Sequence, residues 1–288
     1  MFIILFDRGD RLGANIFCYL AQIMLAHHNN YLIQFEKHKN EYRFYHSIFV
    51  QELFEYMETR NKKLVENGMT YDTRFIFENQ GDFIQNITCA MQMMKIDYFT
   101  FYANFIKQND MAKKRVVYSS QPLPFDVDKT ILVHLRLDDT VNYRDYNGTS
   151  CSNFFRKKLM NGETCRDNAL TDGSNCQAPL SKRKLENIIH RAVCAYPGRQ
   201  VYLLSSPCSD TSFLPYPVIK SDDESYDMYL LTMCKVLILS RSTFALAGLL
   251  FNEGGYEKVY IPMWGHAVCI GIDSIFSQMD VSKMEFFA

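Results

Sequence analysis

Short apolar segments alternate with amphipathic ones along the sequence, and this alternation restricts the fold more than any other feature. The second half contains the strand-like segments ILVHLRL, VYLLSS, VIKS, VLILS and KVYIP. Between them lie SKRKLENIIHRAVCAY, DESYDMYLLTMCK and STFALAGLLFNEG, whose apolar residues recur with helical spacing. Strands that are apolar on both faces are typical of parallel sheets covered by helices. The sequence therefore predicts an α/β fold in which KVYIP is the last strand.

The first half shows the same alternation. FIILF, YLIQF and TRFIFE are predicted strands, and ANIFCYLAQIMLAHH and IFVQELFEYMETRNKK are predicted helices. Two more helical stretches are predicted around residues 81–94 and 97–112. A segment with two prolines, VVYSSQPLPFDVD, separates the halves. We therefore expect two lobes, residues 1–125 and 126–288, with the last helix packing back on the N-terminal lobe.

Composition and charge exclude several classes of protein. The chain has 288 residues, of which 48% are hydrophobic and 22% charged, as expected of a soluble protein with a large core. The net charge of −1 gives no reason to expect a nucleic-acid partner. The N-terminal apolar run is too short for a signal peptide, and no later run is long enough to span a membrane. Nine cysteines without a CxxC pair indicate reduced thiols, so we expect a cytoplasmic protein.

The segment ILVHLRLDDT places charge at the end of an apolar strand. His134 and Arg136 share one face of the predicted strand because alternate side chains point the same way. A charge in such a setting needs a partner. That partner is either Asp138 or Asp139 at the strand exit or a bound ligand.

A second polar segment, SRST, stands where the strand VLILS becomes a helix. Ser240, Ser242 and Thr243 offer hydroxyls there, and the first N–H groups of the helix offer an anion site. Ligands of open α/β sheets bind beyond the carboxyl ends of the strands. Arg136 and this helix start would then hold a phosphate from two sides. Simple N-capping by Ser242 is the alternative.

The N-terminal segment DRGDRLGAN contains Gly9 and Gly13 but lacks the third glycine of a dinucleotide-binding fingerprint. As part of a strand-to-helix turn, Gly13 would allow the backbone to approach a ligand closely. Arg8 and Arg11 would border the same cleft, or be ordinary surface arginines.

Three segments carry a resemblance to a known family. HLRLDD is similar to the HxRRGD element of the fucosyltransferase superfamily, which includes the α-1,2-, α-1,6- and protein O-fucosyltransferases. The matching residues are His134, Arg136 and Asp139, and Leu137 replaces the second arginine. DMYLLTMCKVLILSRSTF is similar to a second element, matching at Asp227, Ser240, Ser242, Thr243 and Phe244. RLGANIFCYLA is similar to RLGNQMFQYA, with Leu12, Gly13, Phe17 and Tyr19 matching and with Ala14 and Asn15 in place of Asn-Gln. Residues 36–125 and 140–200 show no match.

The resemblance implies a GT-B-like α/β fold, with two Rossmann-like lobes whose parallel sheets face a central cleft. It implies an inverting, metal-independent glycosyltransferase, without a cofactor, that moves a sugar from a nucleotide sugar, GDP-fucose favoured, to a glycan hydroxyl. Residues 1–125 would face the acceptor, and residues 126–288 would bind the donor. The implied donor-binding residues are His134, Arg136, Asp227, Ser240, Ser242, Thr243, Gly13 and Asn15. Lack of a Golgi anchor suits a viral, bacterial or cytosolic member.

Asp227 bears on the choice of nucleotide. A carboxylate accepts hydrogen bonds from the adjacent N1–H and N2–H groups of guanine, whereas uracil offers one N–H between two carbonyls. This is the physical reason for preferring a GDP-sugar. Compensation of the helix dipole by Asp227 is the alternative.

The general base has three candidates. Asp139, Asp138 and Asp145 follow the Arg136 strand and would accept the acceptor's proton, with Asp139 favoured. Arg136 would neutralise charge on the leaving diphosphate. Three alternatives stay open: a UDP-sugar donor such as UDP-xylose, a non-catalytic nucleotide- or sugar-binding module, and an α/β scaffold without a nucleotide site.

Overall fold

The computed structural model describes residues 1–7, 11–75, 122–137, 179–252, 255–262 and 281–287. These residues fall into two compact units, the first holding 1–7 and 11–75 and the second holding the remaining ranges. Each unit is described by itself. The helices predicted around 81–94 and 97–112, and the last helix, lie outside the described residues. The lobe boundary at residue 125 and the roles of the lobes stay predictions.

The first unit is a small parallel sheet with two long helices. Its elements are β1 (Phe2–Leu5), α1 (Leu12–His28), β2 (Leu32–Phe35), α2 (Ile48–Glu66) and β3 (Arg74–Phe75), with a 3-10 turn at Lys39–Glu41. The strands lie in the order β2-β1-β3, and both pairings are parallel. Every residue of α1 from Leu12 to Ala26 is buried, as expected of a helix that is apolar nearly all round.

Two side chains of α2 complete the backbone hydrogen bonding of the first unit. The Ile33 N–H donates to Asn61 Oδ1 at 3.0 Å, and Asn61 Nδ2 donates to the Ile33 carbonyl at 2.6 Å. Arg60 donates to the carbonyls of Ala26 and Tyr31, each at 2.6 Å. Side chains of α2 thus supply hydrogen-bond partners for backbone groups at the edge of β2 and at the end of α1.

The second unit is a six-stranded sheet with helices in its crossovers. Its elements are β4 (Thr130–His134), α3 (Lys182–Ala195), β5 (Gln200–Leu204), β6 (Val218–Ile219), α4 (Glu224–Met233), β7 (Val236–Ile238), α5 (Thr243–Leu250), β8 (Lys258–Pro262) and β9 (Met284–Phe287). The strands lie in the order β6-β5-β4-β7-β8-β9, and every pairing is parallel. The predicted α/β fold with parallel strands is confirmed.

The strand order has a reversal at its centre. From β4 the chain moves outward through β5 to β6, and it then returns to add β7 on the other side of β4. Doubly wound nucleotide-binding sheets have this order, and their ligands lie at the carboxyl edge where the order reverses. The two strands at the reversal are the ones that lead into HLRL and SRST.

Close packing joins α4 to α5 above this sheet. A methyl group added at Gly248 would lie 2.8 Å from Leu231 Cβ, so the two helices touch where glycine has no side chain. Just after α5, Asn252 Nδ2 donates to the carbonyls of Leu231, Thr232 and Cys234 at 3.2, 2.9 and 3.2 Å. The end of α4 is thereby fixed to the end of α5.

Two predictions about strands need correction. KVYIP is not the last strand, because β9 follows it and pairs with β8 from Val259↔Met284 onward. As an edge strand, β9 buries Met284 while its other residues are partly exposed, so its sequence lacks a strong apolar pattern. The strand ILVHLRL ends at His134 rather than at Leu137, although the Leu135 N–H still donates to the Leu204 carbonyl at 2.8 Å.

Within the described ranges, no helix combines the length and the apolar character required to cross a bilayer.

Candidate functional site

A buried hydrogen bond connects the two strands at the reversal. His134 is the last residue of β4, and Ser240 follows β7 by two residues. His134 Nδ1 lies 2.6 Å from Ser240 Oγ, and both residues are buried. The imidazole also stacks on the Phe244 ring, with the ring centroids 5.6 Å apart. The carboxyl ends of β4 and β7 are therefore held together by side chains as well as by backbone pairing.

Arg136 lies just beyond the end of β4. Its neighbours Leu135 and Leu137 are buried in the core cluster that packs on α3. The side chain is half-buried. The sequence predicted a buried Arg136 near the carboxyl end of this strand. The structure places it at that edge but only half-buried, because the strand stops two residues earlier.

A second arginine reaches the same place. Arg241, in the SRST segment, is only 5% exposed. It lines one small pocket together with Arg136, His134 and Ser240, and the remaining lining residues are Leu135, Leu137, Pro179, Leu180 and Leu185. The enclosed volume is about 10 Å³, which is room for about one water molecule. Two arginines from different segments of the chain therefore line one pocket at this edge of the sheet.

Sequence reasoning missed Arg241. It occupies the variable position between two serines of SRST, and the resemblance concerns only the hydroxyl residues around it. The available signal was an arginine directly after the predicted strand VLILS. Only the sheet order shows that both residues reach one pocket.

The hydroxyl of Ser242 serves as a helix cap. Ser242 Oγ accepts from the Phe244 N–H at 3.2 Å, at the start of α5. The capping alternative is thus what the structure shows for this side chain. Thr243 is the first residue of α5 and is half-buried beside it.

Asp227 lies in the first turn of α4, and one of its carboxylate oxygens is buried. Asp223 caps this helix, its Oδ1 accepting from the N–H groups of Ser225 and Tyr226 at 2.9 and 3.1 Å. Asp227 Oδ1 is buried and has no hydrogen-bond partner among the described residues. Burial, followed by the charges of Asp223 and Glu224, raises the pKa of Asp227 to about 7. A carboxylate that merely compensated the helix dipole would have a lowered pKa instead.

Another polar group without a partner lies at the carboxyl end of β5. Ser205 follows Leu204, which pairs with His134 in the neighbouring strand. Its Oγ is buried and has no hydrogen-bond partner in the described part of the chain. Buried hydroxyls are nearly always bonded in folded proteins, so Ser205 is a second acceptor or donor available at this edge.

Gly13 and Asn15 lie in the first unit. Helix α1 begins at Leu12, so Gly13 belongs to its first turn and not, as predicted, to a strand-to-helix turn. Its backbone is helical, and a helix does not require glycine. Asn15 Nδ2 donates to the Arg11 carbonyl at 3.1 Å. The donor-binding role expected of Gly13 and Asn15 stays a prediction.

The candidate bases Asp138, Asp139 and Asp145 lie outside the described residues. Over the described ranges, no three His, Cys, Asp or Glu side chains are grouped as metal ligands would be. Metal independence stays a prediction, since it depends on the whole chain.

Neither a protein-family model nor a curated protein sequence matches this chain.

Proposed function

We propose that this protein is an inverting glycosyltransferase of GT-B type that binds a nucleotide sugar, GDP-fucose favoured, at the carboxyl edge of the second sheet. One observation carries the proposal: Arg136 and Arg241 line a single pocket beside the His134–Ser240 hydrogen bond. That pocket lies where the strand order reverses, which is the ligand position of doubly wound sheets.

The proposed chemistry gives the arginines a direct role. The acceptor hydroxyl oxygen bonds to the anomeric carbon while the bond from that carbon to the diphosphate breaks. The electron pair stays on the diphosphate, and a guanidinium with its planar donors stabilises this charge by several kcal/mol when it is held in place beforehand. The acceptor's proton passes to a carboxylate, for which Asp139 is favoured over Asp138 and Asp145.

Asp227 supports guanine as the base. Its buried Oδ1 is the kind of acceptor that the N1–H and N2–H groups of guanine would satisfy. Because the pKa of Asp227 is raised to about 7, a share of the molecules carry a protonated carboxyl at neutral pH. GDP would bind the charged form, so GDP affinity should rise between pH 6 and pH 8.

A titration of the purified chain with GDP, UDP, GDP-fucose and UDP-xylose tests the proposal. We expect GDP to bind and Arg136→Gln to weaken its binding about tenfold or more, since a charged hydrogen bond is lost. Arg183→Gln is the matched control, because Arg183 is exposed on α3 of the same unit. Binding of UDP without binding of GDP would favour the UDP-sugar alternative. Failure to bind any of the four would contradict the proposal.

An assay of donor turnover distinguishes an enzyme from a non-catalytic binding module. The expected result is release of GDP from GDP-fucose, with fucose appearing on members of a mixed glycan panel by mass spectrometry. GDP binding at the Arg136 pocket without any sugar transfer or donor hydrolysis would favour a non-catalytic nucleotide-binding protein.

A further inference from the structure

A nucleoside diphosphate carries more charge than one partly exposed arginine can neutralise. Arg136 is the arginine of the HLRL segment, and it lies at the carboxyl edge of the sheet. The next residue, Leu137, cannot supply a second charge, because it is apolar, only 4% exposed and packed in the core against α3. Among the described residues that line the pocket, the other positively charged one is Arg241, from the segment after β7.

Arg241 is positioned to be that group. Ser240 before it is fixed by the hydrogen bond to His134, and Ser242 after it caps α5. The Ser242 N–H also donates to the Ser240 carbonyl at 2.8 Å, which closes the turn around Arg241. The backbone on both sides is thus held, and Arg241 lines the same pocket as Arg136.

Burial makes the charge of Arg241 effective. At 5% exposure its guanidinium is screened far less by water and salt than a surface arginine would be. Two arginines, one after β4 and one after β7, also suit the two phosphoryl groups of a diphosphate better than the single group of a monophosphate.

We propose that Arg241 is a second diphosphate-binding residue, which acts with Arg136 and makes the site select nucleoside diphosphates over monophosphates. This inference rests on the proposed function, and it concerns the role of one residue within it.

The test compares GDP, GMP and inorganic diphosphate on the full chain by calorimetry. We expect the wild type to bind GDP at least about tenfold more tightly than GMP. Arg241→Gln should reduce that ratio to about threefold or less, mainly by weakening GDP and inorganic diphosphate. Arg241→Lys should give an intermediate ratio, because it keeps the charge and loses the planar fork. Arg183→Gln should leave the ratio unchanged.

The outcomes separate this inference from the proposed function. If the wild type binds no nucleotide and no diphosphate, both fall. If Arg136→Gln lowers the GDP:GMP ratio and Arg241→Gln leaves it intact, only the role of Arg241 is overturned. Should both Arg241 variants fail to fold, crystals of the wild type soaked with GDP decide. The guanidinium of Arg241 is expected within hydrogen-bonding distance of a phosphate oxygen, and a guanidinium turned away from both phosphates would overturn the proposal.

Discussion

Ser240 and Ser242 stand two residues apart, and their hydroxyls make different bonds. Ser240 bonds His134 across the sheet, whereas Ser242 caps the helix that follows. The cap could be predicted from the sequence, because a serine before an apolar helical segment is a standard N-terminus signal. The bond to His134 could not, since it joins residues 106 positions apart. The same limit explains why Arg241 escaped notice.

The clearest residue-scale prediction concerns Asp227. Its folded pKa of about 7 lies above the ordinary aspartate value of 3.8. Between these values the folded protein binds more protons than the unfolded chain, so Asp227 lowers stability as pH rises from about 4 to 7. Asp227→Asn removes this effect. We expect the variant to gain about 1 to 3 kcal/mol over the wild type between pH 5 and pH 8, measured by urea unfolding.

The exposed Asp222 supplies the control for that experiment. Asp222→Asn should show no comparable gain between pH 5 and pH 8. Parallel stability curves for the wild type and Asp227→Asn would contradict a raised pKa at Asp227.

At the scale of elements, capping residues made the helices of the second unit predictable. Ser181, Asp223 and Ser242 each accept a backbone hydrogen bond from the first turn of the helix that they precede. Helix α1 lacks a side-chain cap at Arg11, and the prediction that Gly13 lies in a strand-to-helix turn was wrong there. Strand β9 was missed for a related reason, because a short edge strand with one buried residue has no period to detect.

The contact between α4 and α5 gives an element-scale prediction. Gly248→Ala would normally favour a helix, since alanine has the higher propensity. Here the added methyl would lie 2.8 Å from Leu231 Cβ, which cannot rotate away because it is attached directly to the backbone. We expect a loss of about 1 to 3 kcal/mol in the free energy of unfolding, measured by urea denaturation.

An unchanged or higher stability of Gly248→Ala would show that α4 and α5 can separate without cost. The nearby Ala245→Gly tests the alternative that any change in α5 has the same effect. It should cost about 1 kcal/mol through helix propensity, together with a smaller loss of packing, and should create no overlap.

At the scale of the whole molecule, apolar strands were enough to predict a parallel sheet, but not the order of its strands. Local sequence shows that a strand is buried on both faces, and this holds for each residue of β4 and β7. It does not show which strands are neighbours, because that depends on how the crossovers pack. The sequence predicted that Arg136 and the SRST segment meet at one sheet edge, and the pairing of β4 with β7 brings them to one pocket; the part played by Arg241 was not predicted.

Ligand binding should change the stability of the protein by mass action if the proposed function holds. GDP at one hundred times its dissociation constant should add about 2.7 kcal/mol to the free energy of unfolding. The same GDP concentration should add about 1.4 kcal/mol to Arg136→Gln if that variant binds tenfold more weakly. Urea unfolding with and without GDP measures both. Equal gains in the two proteins would place the bound nucleotide away from Arg136.

The 106 positions between His134 and Ser240 also set the order of events during synthesis. A nascent chain that has emerged from the ribosome only as far as β6 has β4 without its neighbour β7, so neither the hydrogen bond nor the paired arginines exist. The pocket arises when β7 docks against β4, before β8 and β9 are added. If the proposed function holds, a newly made molecule would gain the ability to bind diphosphate at that step, with the outer strands of the sheet still to follow.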